Sequence, residues 1–544
     1  MMEDEFHGIS SQNDGKEGTK EEGNAEISYH FDSKETSQPI KPVNKVTLRL
    51  ALAVFSAVMG SLVFGYNTGV INAPEGQIKS FINKTNMDKS GEYISEETST
   101  GLFALIVAIF AVGGMIGGLL AGWWADFFGR KFGLIINNLI GISAAVMMYI
   151  SRTAGAYEVI IAGRFLVGIN CGLYTGLTPL YLSEISTASI RGAIGVLHQL
   201  GVVTGLLTSQ VLGFPEICGN EEYWHLLLGL CIIPCVIQIL TMPFCPESPR
   251  YLLIRKNRED EAKKALMILR GTDLVDEDME EMKAEYRHQE TEARVNLIKL
   301  FKKRSLRMPL LVSIVMQLSQ QLSGINAIFY YSFILFKSAG MEDSVAAHAT
   351  SGVGGTMVLM TLVTIPLMDR VGRRTLHLLG LGGMFLFSIL ITITMALTYL
   401  ADWFKIVNIV ASLFYVVFFA LGPGSIPWLI VAELFSQGPR PAALSVSVLV
   451  NWMSNFAVGY AFPYMQKGLN DYSFLPFSAL LALFWIFTFK FVPETKNRTF
   501  EDIATTWKYK SESSLSSQSD LSGPAECKAD YGTVCRTAES TTSL

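Results

Sequence analysis

The sequence carries little charge for its length. Only 17% of its 544 residues are charged, whereas 50% are hydrophobic. This balance excludes an ordinary soluble domain and a disordered chain. The net charge of −5 argues against a nucleic-acid partner. The residue pattern contains no nucleophile–base pair, metal-ligand cluster or phosphate-binding loop, so no catalytic site, metal or cofactor is predicted and the chain is not expected to be an enzyme.

Cysteine is also scarce. Seven cysteines are scattered along the chain, and several of them, such as Cys231 and Cys235, lie within apolar runs. This arrangement excludes a disulfide framework and a spaced zinc site. The first 44 residues are polar and lack a signal-peptide pattern, so a disordered N-terminal tail is predicted.

Long hydrophobic runs are abundant instead. A membrane-spanning helix needs about 20 mostly apolar residues, and twelve runs meet this requirement. We therefore predict an all-α membrane protein with twelve transmembrane helices. The predicted spans are 47–70, 102–124, 133–151, 157–181, 194–214, 224–245, 308–335, 347–368, 376–399, 404–430, 443–465 and 473–492.

Lys and Arg concentrate in the loops that follow even-numbered spans. Fifteen of them lie in residues 246–308, between the sixth and seventh spans. Because basic loops stay in the cytoplasm, both termini and this linker are predicted to be cytoplasmic. The sequon at Asn83 then lies outside and is a candidate glycosylation site, whereas the sequon at Asn497 lies inside and stays bare.

Three pairs of motifs recur at nearly one offset along the chain. The pairs are DFFGRK (126–131) with DRVGRR (369–374), Glu184/Arg191 with Glu433/Arg440, and PESPR (246–250) with PETKNR (493–498). Such a repeat predicts two parallel six-helix halves that rock around a midplane site. The predicted domains are a tail (1–45), an N-terminal half (46–245), a helical linker (246–307), a C-terminal half (308–492) and a second tail (493–544).

The repeated charges fall at predicted cytoplasmic helix ends. We predict that Arg pairs with Glu or Asp across the two halves, so that the inner mouth is closed by pairs that break when it opens. One exposed pair contributes only about 0.2–1 kcal/mol, so a network is needed. The alternative is that these residues only set topology and cap helices.

The linker shows the pattern of cytoplasmic helices packed under the bundle. Asn257 is predicted to cap a helix that ends at Arg270–Gly271, with acidic residues first and basic residues last. Its apolar stripe comprises Ala262, Ala265, Leu266 and Leu269. A second helix is predicted over 276–296.

The stretch QLSQQLSGINAIFYYS, which begins at Gln317, is unusually polar for a membrane span. Polar side chains that face lipid are costly, so Gln317, Gln320 and Gln321 are predicted to face the bundle interior. Asn326 lies on the opposite side of a straight helix. A helix break at Ser323–Gly324 is therefore predicted, because irregular backbone at membrane depth is tolerated where it lines a cavity.

A second interrupted span carries LGPGSIPW, which cannot be a regular helix and ends at Trp428. The eleventh span offers Asn451 and Asn455, and the fifth offers His198 and Gln199. Amides donate and accept hydrogen bonds as hydroxyl groups do. This set predicts a neutral ligand with many hydroxyl groups, although each amide taken alone is also compatible with a helix-joining hydrogen bond.

From about Val46 to Phe500 the sequence resembles the facilitative hexose transporters of the sugar-porter branch of the major facilitator superfamily. The motifs that carry the resemblance are FGYNTGVINAP (64–74), GRF (163–165), PLYLSEISTASIRG (179–192), LHQLG (197–201), PESPR, QLSQQLSGIN, GRRTLHL (372–378), GPGSIPW, VAELFSQGPRPAA (431–443), NW and PETKNRTF. The resemblance implies mid-depth binding of a hexose, most often D-glucose, and alternate exposure of that sugar to each side.

The same resemblance implies roles for individual residues. Implied sugar contacts are Gln199, Gln320, Gln321, Asn326, Trp428 and Asn451. Implied outer-gate residues are Phe329, Tyr330 and Tyr331, and implied cytoplasmic gate residues are Glu184, Arg191, Glu247, Arg373, Arg374, Glu433 and Arg440. Two positions depart from the family: its glucose-binding asparagine falls on Met357, and a glutamate common in the glucose carriers is replaced by Ala420.

Asn67 favours uniport, since proton-coupled relatives that resemble this chain carry an aspartate at that position and an amide cannot take up a proton. His198 keeps a proton-coupled symporter open as an alternative. A non-transporting sugar sensor is a further alternative. The terminus Thr542–Leu544 matches a weak PDZ-ligand pattern. The expected partners are a hexose and membrane lipid, and the expected location is the plasma membrane.

Overall fold

The computed structural model describes residues 46–187, 190–291, 295–436, 438–496 and residue 498. Every regular element in these ranges is a helix. The predicted N-terminal tail, the sequon at Asn497 and nearly all of the C-terminal tail lie outside the described residues.

The N-terminal half contains eight helices. They are α1 (Leu48–Gly69), α2 (Glu75–Ser90), α3 (Glu96–Phe128), α4 (Arg130–Ala154), α5 (Tyr157–Ile185), α6 (Arg191–Leu212), α7 (Trp224–Gly229) and α8 (Ile232–Thr241). The hydroxyl of Thr47 caps α1, and Ser95 caps α3 ahead of two glutamates in its first turn. A 3₁₀ turn, Met242–Phe244, completes the sixth span after α7 and α8.

Four helices form the linker between the halves: α9 (Pro249–Ile254), α10 (Glu259–Arg270), α11 (Asp276–Thr291) and α12 (Leu297–Lys302). The predicted buried stripe of α10 is confirmed, and Gly271 ends this helix in a left-handed conformation. The predicted cap is wrong: Arg258 is the N-cap residue of α10 and makes no side-chain cap bond. Asn257 instead adopts a positive φ of 53° in the preceding turn.

The C-terminal half contains the remaining helices. They are α13 (Arg304–Gln321), α14 (Ile325–Ser338), α15 (Asp343–Val371), α16 (Arg373–Leu397), α17 (Trp403–Leu421), α18 (Ile426–Leu434), α19 (Arg440–Leu469) and α20 (Leu475–Phe491). A 3₁₀ turn, Asn470–Tyr472, precedes α20.

All twelve predicted spans coincide with helices. Ten helical segments of the described chain are long and apolar enough to cross a membrane. The other two predicted spans are the α13–α14 pair and the apolar helix α20, which has 17 residues. The predicted all-α architecture of twelve transmembrane helices in two halves, with helices between them, is therefore observed.

Close helix packing builds each half, and helix pairs also join the halves. At Gly65 in α1, a Cβ atom would lie 1.7 Å from the carbonyl oxygen of Val202 in α6, so only glycine permits this approach. Helices α3 and α19 pack together across the halves, and so do α6 and α15. Trp452 on α19 contacts the rings of Phe64 and Phe110 in the N-terminal half. The polar segments of α13, α14 and α19 lie beside these junctions.

Candidate functional site: a buried amide cluster at two helix breaks

The predicted break in the seventh span is confirmed. Helix α13 ends at Gln321 and α14 begins at Ile325, with Gly324 between them at a φ of 90°. A Cβ at this position would lie 2.6 Å from the ring of Phe477, so glycine is required for both backbone and space. The Tyr415 hydroxyl donates to the carbonyl oxygen of Ser323, which the break leaves free.

The tenth span is also interrupted, as predicted from its glycines and prolines. Helix α17 ends at Leu421 and α18 begins at Ile426. The carbonyl oxygens of Pro423 and Gly424 in this interruption accept hydrogen bonds from Gln320 Nε2, at 2.9 and 2.7 Å. A side chain next to the first break thus satisfies the backbone of the second.

Amide side chains from α13, α14 and α19 form one network, here called the central amide cluster. Its members are Gln317, Gln320, Gln321, Asn326, Asn451 and Asn455, all of which are buried. Asn451 Nδ2 donates to Gln317 Oε1 at 2.7 Å and to Gln320 Oε1 at 2.6 Å. Asn451 Oδ1 accepts from Gln321 Nε2 at 3.0 Å. No member of the cluster is charged.

The break lets α14 join this cluster. Asn326 Nδ2 donates to Gln321 Oε1, although the two residues would point apart on a straight helix. Asn455 Nδ2 donates to the same oxygen at 3.4 Å. The Tyr330 hydroxyl then donates to Asn455 Oδ1 at 2.9 Å. The structure therefore brings together four of the six predicted sugar contacts: Gln320, Gln321, Asn326 and Asn451.

The other two predicted sugar contacts lie apart from the cluster. Gln199 is half-buried on α6 of the N-terminal half, and among the described residues it has no hydrogen bond to the cluster. Trp428 is half-buried in the first turn of α18, just after the second break. His198, beside Gln199, has its Nδ1 atom 2.8 Å from the hydroxyl of Ser61.

The two ends of the bundle differ in how the halves meet. We call them the α2 end and the linker end, after the elements found there. At the α2 end, Asn72 Nδ2 donates to the Phe329 carbonyl at 3.0 Å and to the Ser332 hydroxyl at 2.7 Å. Asn72 Oδ1 accepts from the backbone N–H of Phe333 at 3.0 Å. One asparagine of the N-terminal half thus holds the backbone of α14, which carries the predicted outer gate.

Aromatic rings close the same end. Tyr331 lies edge-on to Phe103 of α3, with 6.2 Å between the ring centroids. Phe329 lies edge-on to Phe419 at 6.0 Å, within the C-terminal half. Phe329, Tyr330 and Tyr331 are all buried.

At the linker end, the repeated charges form two equivalent clusters. Arg130 pairs with Glu184 at 2.8 Å, and Arg373 pairs with Glu433 at 3.2 Å. Carboxylates that follow the sixth and twelfth spans cap the helices that begin at Arg130 and Arg373, α4 and α16. Glu247 accepts the N–H groups of Arg130 and Lys131, and Glu494 accepts those of Arg373 and Arg374. Burial raises the pKa of Glu247, although these backbone N–H groups oppose that shift.

The ion pairs described at the linker end lie within each half, and pairing across the halves stays a prediction. Both Arg–Glu pairs join helices of the same half: α4 with α5, and α16 with α18. Arg191 is half-buried, and Arg440 Nε donates to the Phe435 carbonyl of its own half at 3.1 Å. The physical reason is that each helix end lies directly beside its neighbour within the six-helix unit.

Asn67 is buried, and its hydrogen bonds within the described ranges involve no carboxylate. Its Nδ2 atom donates to the backbone carbonyl oxygen of Val63 in the same helix, and the backbone carbonyl oxygen of Asn67 accepts from Arg164 Nη1 at 2.9 Å. The Arg164 guanidinium is fully buried and lies 4.6 Å from the centroid of the Phe110 ring. Arg164 lies on α5, inside the N-terminal half.

Sequence reasoning missed Asn72 and Glu75. Asn72 lies in the short connection between α1 and α2, where an asparagine before a proline resembles an ordinary turn, and Glu75 is the first residue of α2. The proximity to α14, 257 residues away, has no local signal. Asn83 lies half-buried on α2, and its glycosylation stays a prediction.

Comparisons with known proteins agree with this architecture. Residues 53–507 match the family described as "Sugar (and other) transporter". The facilitated glucose transporter member 1 of Gallus gallus is 49% identical over 88% of this chain and 96% of its own length. Member 3 of Mus musculus is 50% identical over 85% of this chain and 93% of its own length.

Solved structures with the same fold include the xylose transporter XylE from E. coli in a partially occluded inward open conformation. It matches with a TM-score of 0.71 and 25% identity, over 82% of this chain and 99% of that chain. These matches confirm the resemblance to sugar porters and exclude the enzyme alternative. The chain belongs to the sugar transporter family.

Proposed function

We propose that this protein carries a hexose, D-glucose above all, across the plasma membrane by facilitative transport, exposing a mid-depth site to one side at a time. The observation that carries the proposal is the central amide cluster, which is buried, uncharged and built at two helix breaks. The names of the relatives, which are facilitated glucose transporters, support glucose as the substrate.

The cluster suits a ligand with many hydroxyl groups. Every amide offers both a donor and an acceptor, and in the structure these groups bond to one another and to carbonyl oxygens. A hexose exchanges these bonds for bonds to its own hydroxyl groups, so the net gain per bond is modest. Such an exchange permits both recognition and release. Gln199 and Trp428 complete the proposed contacts from α6 and α18.

The proposed orientation places the linker end and both termini in the cytoplasm. The hydrogen bonds of Asn72 to α14 then close the outer side. The proposed gates are Asn67 and Phe329–Tyr331 toward the outside, and the charged residues of the two Arg–Glu clusters, with Arg191 and Arg440, toward the cytoplasm. Because the ion pairs observed at the linker end lie within the halves, they do not tie the halves together in this conformation.

Uniport is supported by the distribution of carboxylates. In the described membrane-spanning helices, Asp and Glu occur only within the first or last four residues of each helix, as do Glu158 and Glu184 in α5. Asn67 occupies the position next to Arg164 where a proton-carrying acid is otherwise expected. None of these carboxylates therefore lies at mid-depth, and none of them is a candidate for a group that takes up and releases a proton in every transport cycle.

Proton-coupled symport is the second candidate. The observation that favours it is the likeness to solved structures of XylE, one of which is titled a proton:xylose symporter. His198 is the titratable side chain next to Gln199. The non-transporting sensor and the C-terminal PDZ-type partner depend on tails outside the described residues and stay predictions.

Uptake into reconstituted vesicles separates the two candidates. Under uniport, labelled glucose equilibrates and does not accumulate above its external concentration when a proton gradient is imposed, and a protonophore has no effect. Accumulation that collapses with a protonophore contradicts uniport. Competition by fructose, galactose and mannose then defines the preferred hexose.

A matched pair of variants tests the site. Gln321→Leu removes an amide that bonds to Asn451, and we expect glucose affinity to fall by about tenfold, the equivalent of about 1.4 kcal/mol. Asn408→Leu is the control, since its buried amide joins α17 to Thr394 of α16 and lies outside the cluster. Equal affinities in both variants contradict the proposed site.

A further inference from the structure

Ser319 lies on the side of α13 that faces away from the central amide cluster. At about 100° per residue, its side chain points about 150° from the mean direction of the three glutamines of this helix. We call this side the rear of α13. Ser319 is nevertheless buried, so the rear of α13 packs against protein and offers a second place at which this helix is held.

The polar partner of Ser319 on another helix is His377 of α16. His377 Nε2 lies 3.2 Å from Ser319 Oγ, and His377 is fully buried. A hydroxyl group both donates and accepts, so either tautomer of the imidazole completes this hydrogen bond. Loss of such a bond leaves a buried polar group without a partner, which is unfavourable. The bond therefore opposes rotation of α13 away from α16.

The same histidine lies against the second helix break. Its ring is close enough to the backbone of Gly422 for an electrostatic interaction. A Cβ at Gly422 would lie 3.1 Å from the Cα of His377 and 2.8 Å from the Leu376 carbonyl oxygen. Three residues further along α16, a Cβ at Gly380 would lie 2.7 Å from Pro423 Cδ. The second break therefore rests directly on the backbone of α16 around His377.

Gln320 connects the same two elements from the opposite side. Its Nε2 atom donates to the carbonyl oxygens of Pro423 and Gly424 in the second break. Helix α13 and the second break are thus linked twice, by Gln320 on the side of the cluster and by His377 at the rear. Two links on opposite sides of a helix fix its rotation, whereas one link leaves the helix free to turn.

We propose that His377 is a positioning residue for sugar binding, which joins the rear of α13 to the second helix break and so fixes the direction of the α13 amides. The inference rests on the proposed function and adds to it a residue that has no hydrogen bond to the cluster in the described part of the chain. Side chains reach about 5–6 Å from a helix axis, so a turn of about 20° displaces an amide by about 2 Å. Such a displacement exceeds what a hydrogen bond tolerates.

Kinetics separate a positioning role from a role in folding. His377→Leu removes the hydrogen bond with little change in volume, and uptake of labelled glucose into vesicles gives KM and the maximal rate per mole of protein. We expect KM to rise about three- to tenfold, the range for one lost hydrogen bond, while the maximal rate changes by less than about twofold. A variant that only folds poorly leaves fewer active transporters, so its maximal rate falls and its KM does not change.

Two further variants test the bond itself. His377→Gln places an amide near the position of Nε2, and because an amide both donates and accepts, its KM is expected to lie within about twofold of the parent. Ser319→Ala removes the bond from α13 by deleting a single oxygen atom and is expected to raise KM as well. In the double variant His377→Leu/Ser319→Ala, KM is expected to equal that of His377→Leu, since both changes remove the same bond.

Ser388→Ala is the matched control. Ser388 is a buried residue of the same helix, and its Oγ atom lies 2.8 Å from Ser478 Oγ of α20, a span without a break. Its KM is expected to equal that of the parent.

Three results overturn the role of His377: a parental KM in both His377→Leu and Ser319→Ala, an equal rise of KM in Ser388→Ala, or a KM of His377→Gln as high as that of His377→Leu. Glucose uptake by the parent tests the proposed function by itself. A parent that transports glucose while KM stays constant in the variants contradicts only the positioning role, whereas a parent without uptake contradicts the proposed function.

Discussion

Asn72 and Ser332 lie in opposite halves of the protein, and the Asn72 amide donates to the Ser332 hydroxyl at 2.7 Å. The same side chain also bonds to the backbone of Phe329 and Phe333. These bonds join α14, which follows the break at Gly324, to the end of α1. Closure at the α2 end is therefore a polar contact as well as an aromatic one.

Asn72→Ala is expected to favour the conformation that is open at the α2 end. The substitution removes three hydrogen bonds, of about 0.5–1.5 kcal/mol each, from the closed form alone. The equilibrium between the closed and open forms therefore shifts toward the open form by about tenfold or more. The measurement is the rate at which Thr350→Cys, at a buried position of α15 whose hydroxyl accepts from Ser332, reacts in a Cys218→Ser background with an impermeant thiol reagent added outside. Asn86→Ala is the control, since the Asn86 side chain donates locally, to the Glu92 carbonyl. Equal labelling rates in Asn72→Ala and Asn86→Ala contradict a role of the Asn72 hydrogen bonds in closure.

Glu75 is expected to make this closure sensitive to external pH. Its carboxylate is 4% exposed, one oxygen lies 2.6 Å from Lys79 Nζ, and the other has no partner among the described residues. Burial raises the pKa of Glu75 above its ordinary 4.5, and the ion pair with Lys79 opposes that shift. Tyr331 of α14 is the titratable group that faces Glu75 across the halves.

The direction of the pH effect on closure follows from the direction of the pKa shift of Glu75. The closed form holds the proton more tightly than a form in which Glu75 is hydrated, so acidification stabilises closure as pH falls through the raised pKa toward 4.5. Labelling at Thr350→Cys should slow over this range in the parent and stay constant in Glu75→Gln. Glu158→Gln, at an exposed pair with Lys89, should behave like the parent. Because Glu75 exchanges its proton only with the outer solution, this pH dependence of closure does not drive accumulation of the sugar.

Met357→Asn and Ala420→Glu test the two departures from the glucose carriers. Both positions are buried, and Met357 lies on α15 while Ala420 lies next to the second helix break. One restored hydrogen bond contributes about 0.5–1.5 kcal/mol, so we expect glucose affinity to rise about two- to tenfold in at least one variant, or the preferred hexose to change. Uptake of labelled glucose in the presence of unlabelled competing sugars measures both effects. If both variants have the same glucose affinity and the same preferred hexose as the parent, the hypothesis is wrong.

The local sequence pattern was sufficient to predict the membrane spans and both helix breaks. Glycine and proline act on their own backbone, and the amides of α13 repeat at helical spacing, so the position of Asn326 required a break that the structure contains. The repeat also predicted which Arg and Glu residues share a role. It did not predict their partners, because whether Arg130 meets Glu184 or a residue of the other half depends on how helices pack.

Contacts between the halves were the part that the sequence did not reveal. Asn72 is a single amide in a segment whose local character is a turn. Its importance comes from α14, 257 residues away. Gln199 illustrates the converse, since its motif predicted a sugar contact while the observed cluster lies wholly in the C-terminal half.

Gly129 and Gly372 provide a test of the two equivalent clusters at the linker end. Their φ angles are 87° and 101°, and a Cβ at either position would lie 2.7 Å from a carboxylate oxygen, of Glu247 and Glu494 respectively. With ψ angles of 178° and 157°, both residues lie in a region that is essentially accessible only to glycine, so Gly→Ala at each site combines backbone strain of about 1–3 kcal/mol with displacement of the carboxylate that caps the helix that follows. We expect both variants to lower the melting temperature in detergent by similar amounts.

Gly155→Ala separates the two contributions. Gly155 ends α4 at a φ of 58°, and a Cβ there would have open space around it. With a ψ of 37°, Gly155 lies in the left-handed helical region, where a side chain costs about 1–2 kcal/mol, and no clash is added, so the melting temperature of Gly155→Ala should fall less than that of Gly129→Ala or Gly372→Ala. If all three variants melt together, the capping carboxylates contribute nothing beyond backbone strain, and the repeated clusters lose their proposed structural role.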